Sequence, residues 1–433
     1  MHSGFFTEAK EGIDAADVQA IREHRLPKDG KLAALSMPNV ISPFRIAVSQ
    51  DAIDDLRARL RAARLPKPAP ASGWALGMDA DYLSFLLDQW LNHFDWRSVE
   101  AHLNGFPQFI AEVGAAPVHF VHLTGSGPSR TPIILTHGWP STFAELLRLG
   151  QALANPHNVE AEGFDVIIPS LPGYAFSPAP KSLGANVFTI ANQWAELMTM
   201  LGYKRFFAHG GDIGAGVTTA LALLHGERLH GIHLNYIPGS YRPFLEESAA
   251  LTAEEREWQA RRDAWNDAEG GYSHVQATKP DVLGPALNDS PIGLAAWIID
   301  KYRSWSDCDG YLDKRFSVTE LLTVISIYWF TECMPSAIRL YWEGRRRPLH
   351  LAAGQRVTVP VAVAHFSKEI PIPPRSYVER GYNVTRWTEF PRGGHFAALE
   401  ETAALADDIR MFTRELRSTT FLSNQNLKPK STP

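Results

Sequence analysis

Asp212 stands in Gly210-Gly211-Asp212-Ile213-Gly214, between an apolar run, Arg205–Ala208, and an apolar helical stretch. The form is G-x-nucleophile-x-G, with Asp where Ser is usual. Small flanking residues suit a sharp strand-to-helix turn, in which larger side chains would collide. Such a turn lifts one side chain to a helix N-terminus, where the dipole favours an anion. A carboxylate that attacks an sp³ carbon forms an ester. That chemistry suits opening of an epoxide or displacement of a halide. It suits direct ester or peptide hydrolysis poorly, because the adduct would be an anhydride. A glycine turn with an Asp helix cap is the structural alternative. A dinucleotide loop fails on spacing, since Gly214 and Gly216 are followed at position 219 by Thr.

An ester on Asp212 needs a base, a group to orient it, and donors for the oxyanion. Upstream, Ile133–Thr136 ends in His137-Gly138-Trp139-Pro140. In the α/β-hydrolase fold, whose elbow has the form just described, this loop supplies one oxyanion N–H, here Trp139. The residue after the nucleophile, Ile213, supplies the other. His137 is assigned a structural role. The base belongs in a loop near the C-terminus, and Arg392-Gly393-Gly394-His395-Phe396 falls between the last strand and the last helix. Its two glycines give the loop freedom to present His395. A helix-start His is the structural alternative. The orienting acid should follow a late strand. Asn235, after Ile232–Leu234, is not a carboxylate; Glu369, after Val357–Val363, is. A surface Glu paired with Lys368 or Arg375 is the alternative there. The order Asp212, Glu369, His395 is nucleophile, acid, base, as the fold requires. Ring opening also needs a proton donor, and tyrosine hydroxyls stay protonated at neutral pH. Tyr241, Tyr272, Tyr302, Tyr311, Tyr328 and Tyr341 are candidates, and residue type does not choose among them. The remaining histidines are scattered without metal-ligand spacing, so no metal is assigned.

These residues need elements to hold them. Ser49 reads as an N-cap for a helix carrying Ile53, Leu56 and Leu60. Pro66, Pro68 and Pro70 break it; a second helix carries Tyr82, Leu86 and Trp90, and a third ends near Asn104-Gly105. This first unit reads as helical and precedes the main sheet. From Val118 short apolar runs alternate with helices: Val118–Leu123, Ile133–Thr136, Val166–Ile168, Arg205–Ala208 and Ile232–Leu234. A helix with Ile190, Trp194, Leu197, Met198 and Leu201 stops at Gly202. Strand-helix alternation implies a mostly parallel sheet with helices on both faces. It lapses in a helical stretch rich in Trp, Tyr and Pro, then returns with Val357–Val363, Val384–Thr388 and a last helix carrying Leu405, Ile409 and Phe412. The expected class is α/β, an α/β-hydrolase fold with a helical lid insertion and an N-terminal wrapping segment. Its divisions are an extension, 1–41; an N-terminal region, 42–115; the core in two parts, 116–237 and 356–418; a lid, 238–355; and a polar, mobile tail, 419–433. The site should lie at the carboxyl ends of the strands, beneath the lid.

Bulk properties narrow the function classes. At 433 residues and 45% hydrophobic, the chain can bury a sizeable core. A formal charge of −5 leaves no broad basic footprint for nucleic acid. Arg345-Arg346-Arg347 reads as a solvated loop. Two cysteines, Cys308 and Cys333, are too few for a disulfide framework or a cysteine zinc site. No membrane-length apolar run and no signal-peptide pattern occur. Residues 1–41 hold one amphipathic stretch near Ala15–Arg25 and have no assigned purpose.

Taken together, the residues resemble the microsomal-type epoxide hydrolases and their juvenile-hormone-hydrolysing relatives, from about residue 42 to 417. The markers are Phe94-Asp95-Trp96-Arg97, His137-Gly138-Trp139-Pro140, Pro172-Gly173-Tyr174-Ala175-Phe176-Ser177, Gly210-Gly211-Asp212, Ala286-Leu287-Asn288-Asp289-Ser290-Pro291, Gly293-Leu294-Ala295-Ala296 and Gly393-Gly394-His395-Phe396-Ala397-Ala398. The set is specific; no single member is. The resemblance implies an N-terminal region wrapping core and lid, lid tyrosines at Tyr272 and Tyr341, and the acid at Glu369. It implies turnover of an epoxide with water, no cofactor and, by family only, a homodimer; the aromatic-rich lid suggests that the epoxide is apolar. Two departures stand out. Many relatives carry Trp after the nucleophile, where this chain has Ile213; only a backbone N–H is needed there, and the change weighs against a haloalkane dehalogenase. Microsomal relatives often begin with a membrane anchor, which this chain lacks, so a cytoplasmic protein is expected. The other alternative is a ligand-binding protein on the same scaffold, which would have no reason to keep Asp212, Glu369 and His395 together. With Asp212 ionised and His395 neutral, activity should fall below about pH 6.5.

Overall fold

The computed structural model describes residues 40–425, apart from 68, 71–72, 115, 128–129, 157–162 and 247–249. The extension up to residue 39, with its amphipathic stretch, lies outside the described residues, as do residues 426–433.

Among the described residues nine strands are formed: β1 (Ile41–Phe44), β2 (Gln108–Val113), β3 (Ala116–Leu123), β4 (Thr131–Thr136), β5 (Phe164–Pro169), β6 (Phe206–Gly210), β7 (Leu229–Leu234), β8 (Val357–Lys368) and β9 (Tyr382–Gly394). They make one sheet in the order β1-β2-β3-β5-β4-β6-β7-β8-β9. Pairing is antiparallel from β1 to β5 and parallel from β5 to β9. β5 and β6 are buried at every position, which is the run of apolar residues that a strand covered on both faces requires. Their side chains divide with a period of two. Ile134, Ile167, Phe206 and Ala208 point into one core, with Ile190 and Trp194 of the helix Val187–Met200 and Val217 of the helix Asp212–Leu224. Ile133, Leu135, Val166, Ile168 and Phe207 point into the other, with Leu149 of the helix Leu147–Ala154 and Ile409 and Phe412 of the helix Thr402–Gln425.

The N-terminal region departs from its sequence reading. It is not a helical unit ahead of the sheet: β1 and β2 extend the sheet at one edge, flanking the helices Gln50–Arg61, Ala80–Asp88 and Trp96–Leu103. β1 has only four residues and contains Pro43. Proline is tolerated in an edge strand, and so short a strand leaves no alternating apolar signal. Ser49 does cap its helix, accepting from the Ala52 N–H at 3.2 Å. The same region reaches the lid, where Trp90 Nε1 donates to Ser326 Oγ at 3.1 Å and Arg59 pairs with Asp289 at 2.7 Å.

The lid falls between β7 and β8. Its helices are Ala253–Glu269, Gly271–Thr278, Pro280–Asp289, Pro291–Trp305, Val318–Thr331 and Met334–Arg346. Arg345 and Arg346 close the last of these, so that stretch is an exposed helix end rather than a loop. The final helix runs past Ser418 to Gln425, into the stretch read as a polar tail. Among the described residues no single helix is long and apolar enough to cross a membrane.

Candidate active site

β4 and β6 are neighbours, but the chain leaves them in opposite directions, toward β5 and toward β7. The crevice at such a switch point is where open α/β sheets hold ligands. Asp212 sits there, opening its helix with a φ of +48°. A non-glycine residue holds that left-handed conformation only when its surroundings impose it. The oxyanion loop passes so close that an added Cβ at Gly138 would overlap the Asp212 carboxylate, so only glycine leaves room for it there. The Trp139 N–H donates to Asp212 Oδ1 at 2.8 Å. Ile213, expected as the second donor, is in the first turn of the helix, where an N–H has no carbonyl four residues back to bond.

β9 runs as far as Gly394, so His395 is presented directly from a strand end. The two glycines before it do more than loosen a loop. Gly393 has a φ of +99°, and a Cβ on Gly394 would meet the Trp305 carbonyl oxygen at 2.7 Å. That same carbonyl accepts from the His395 N–H at 2.9 Å, so the lid helix ending at Trp305 fixes the ring's backbone. His395 Nδ1 lies 2.6 Å from Glu369 Oε1, and Nε2 lies 3.6 Å from Asp212 Oδ2. Glu369 follows β8 directly, and its side chain is fully enclosed. Burial works against charge on His395. The Glu369 carboxylate and then Asp212 outweigh it and hold the imidazole well above its ordinary range. His137 is structural, as read: its Nε2 accepts from the Leu171 N–H at 3.1 Å, and burial holds it uncharged, near 4.

The lid tyrosines separate by position. Tyr241 packs against Tyr377 and Tyr382, Tyr302 stacks on Phe396, Tyr328 donates to the Ser141 carbonyl, and Tyr311 is exposed. Tyr272 and Tyr341 face each other at 5.9 Å above Trp139. Tyr272 stacks on that indole at 5.3 Å and Tyr341 meets it edge-on at 5.8 Å. The Tyr341 hydroxyl is buried without a hydrogen-bond partner. Burial, reinforced by the Asp212 charge, pushes both phenols well above their ordinary range, so both keep their protons.

Behind Asp212 lies a cavity of about 20 Å³ bordered by Ser141, Glu145, His209, Asn235 and His395, room for about one water molecule. Sequence reasoning passed over Glu145. The available signal was an acid inside Phe143-Ala144-Glu145-Leu146, eight positions past His137. Among the described residues no group of three His, Cys, Asp or Glu is placed to hold a metal ion.

Known proteins resemble this chain in sequence and fold. The model for the epoxide hydrolase N terminus matches residues 41–146, and that for the alpha/beta hydrolase fold matches residues 131–269. Epoxide hydrolase 1 of Oryctolagus cuniculus is 36% identical over 430 residues, covering 91% of this chain and 94% of the relative. The crystal structure of juvenile hormone epoxide hydrolase from the silkworm Bombyx mori is similar with a TM-score of 0.80 at 26% identity, covering 88% of this chain and 96% of that one. The structure of the Aspergillus niger epoxide hydrolase is similar with a TM-score of 0.76 at 31% identity, covering 87% and 97%.

Proposed function

The chain belongs to the epoxide hydrolase family, and from that premise we propose that it turns an apolar epoxide into a vicinal diol through a covalent ester on Asp212. The observation that carries the mechanism is one carboxylate held between the Trp139 N–H and the His395–Glu369 pair, beneath two buried phenols.

In the first half-reaction Asp212 Oδ2 attacks an epoxide carbon from the side opposite the C–O bond that breaks. Tyr272 or Tyr341 protonates the departing oxygen, leaving a hydroxyalkyl ester and a tyrosinate. In the second, water attacks the ester carbonyl carbon while His395 Nε2 takes one of its protons. Oδ1 becomes the oxyanion and already accepts from Trp139; the Ile213 N–H is the second donor. Collapse breaks the Cγ–Oδ2 bond, and His395 returns its proton to the leaving alkoxide. The proton left on the regenerated carboxyl restores the tyrosinate. These steps need no metal ion or organic cofactor. The aromatic lining from Trp139, Tyr272, Trp305 and Tyr341 supports an aryl or alkyl epoxide as substrate. A cytoplasmic location and a homodimer rest on composition and family resemblance, and cell fractionation and light scattering test them.

The decisive experiment is intact mass of the His395→Ala variant after exposure to styrene oxide and, separately, to a bromoalkane. Blocking ester hydrolysis should trap a gain equal to the whole epoxide, absent when Asp212→Ala is added. Asp212→Ala alone should lose diol formation by roughly 10⁴-fold or more. An alkyl gain with bromide release would point instead to dehalogenation; no adduct from either would point to a binding protein.

A further inference from the structure

The cavity behind Asp212 shares its walls with the carboxylate that would carry the ester and the imidazole that would hydrolyse it. At about 20 Å³ it admits one water and little else. A water there lies within reach of His395 but needs a second anchor, because one hydrogen bond leaves its lone pairs free to swing away from the ester carbon. The surrounding groups differ in what they can offer. His209 is committed through Nδ1 to His233 at 3.0 Å, and burial with the neighbouring His233 holds it uncharged. His137 is committed on both nitrogens, to the Gly138 carbonyl and the Leu171 N–H. Asn235 also borders the cavity, its side-chain amide close against Gly211. Glu145 lies in the turn Phe143–Leu146, directly after the oxyanion loop. The lid locks that segment through the Tyr328 hydroxyl, which donates to the Ser141 carbonyl at 2.9 Å. The Ser141 hydroxyl is itself buried and lies near enough to Glu145 to favour its ionised form.

We infer that Glu145 is a positioning residue for ester hydrolysis: its carboxyl accepts the second O–H of the attacking water, so that a lone pair faces the Asp212 carbonyl carbon. The inference rests on the two-step reading above. The water oxygen bonds to Cγ, its first proton passes to His395 Nε2, and its second stays on the incoming oxygen, bonded to Glu145. Both protonation states of a carboxyl keep an acceptor oxygen, so the role survives the titration of this group. Burial pushes it up to about 7, moderated by the nearby Ser141 hydroxyl and His395 ring and raised by Asp212 and Glu369.

Rapid-quench single turnover with styrene oxide, with the ester followed by mass, separates the two half-reactions. In Glu145→Ala the ester should form at close to the normal rate and persist roughly a hundredfold longer, the cost of losing placement of a reacting atom. Glu145→Gln, which keeps an acceptor oxygen in the same shape, should recover most of the hydrolysis rate. Unchanged ester lifetime in Glu145→Ala would overturn the assignment while leaving the two-step mechanism standing. Equal slowing of both half-reactions, with Gln no better than Ala, would reduce Glu145 to a structural role. Absence of any ester in the unmodified enzyme would instead remove the mechanism itself.

Discussion

In the proposed second half-reaction His395 has to accept a proton, yet the resting site is arranged to keep one there. From residue types alone, a neutral ring and an acid limb near the ordinary His value were expected; the geometry moves that limb to a different step. Burial disfavours the charge, but Glu369 and Asp212 together hold the ring protonated well above its usual range. Once Asp212 is esterified its negative charge is gone, its share of the upward shift disappears, and the imidazole gives up its proton more readily. Lowering the pH therefore blocks hydrolysis of the ester before it blocks alkylation. Asp212→Asn, uncharged like the ester, should bring the His395 titration to lower pH in an NMR titration. An unmoved titration would mean that Glu369 alone holds the proton. At this scale the grouping of Asp212, His395 and Glu369 was legible, because each follows a strand end in an obligatory chain order. The proton donors were not: six tyrosines of one type differ only in where the lid puts them. Glu145 was missed because an isolated acid carries no spacing signal.

Among the elements, the last helix is joined to the sheet by more than apolar packing. Asp408, on that helix, accepts from His233 of β7 at 3.0 Å, from Arg386 of β9 at 2.6 Å and from Thr388 of β9 at 2.8 Å. Burial resists ionisation, but the hydrogen bond and charge of His233, with Arg386 and Thr388, hold the carboxyl down at about 2. Its folded value lies below the unfolded one of about 3.9, so the stabilisation is fully present at neutral pH. It is lost as the pH falls through the unfolded value and on to about 2. Asp408→Asn should cost about 2–3 kcal/mol in urea unfolding at pH 7, because the charged bonds to His233 and Arg386 are lost and Arg386 keeps only Glu415 as a carboxylate partner. The difference from the parent should shrink toward pH 2; a constant difference would assign the loss to shape. The sequence reading found the apolar face of this helix and the central strands, whose pattern is strong. It missed β1 and β2, because an edge position relaxes the demand for apolar residues that makes a strand recognisable.

Core, lid and N-terminal region work as one body. The Trp90 ring is buried, and its N–H meets Ser326 in the lid helix Val318–Thr331; Trp96 packs on Phe330 at 4.7 Å. Trp90→Ala should cost about 3–5 kcal/mol, read by denaturant unfolding, and core and lid probes should melt together. A cost under about 0.5 kcal/mol, or a lid transition ahead of the core, would show that the N-terminal region does not fasten the lid. The wedge of Asp212 against Gly138 matters here for a different reason. A carboxylate held by the Trp139 N–H on one oxygen and facing His395 with the other has a preferred line of approach, and displacement along it inverts whichever ring carbon it meets. The handedness of the diol is then settled before any bond changes, by the way the lid tilts the epoxide above a nucleophile that stays still. On this reading mirror-image substrates are told apart by the lid, and substitutions around Tyr272 and Tyr341 should be able to reverse that choice while the chemistry beneath them stays the same.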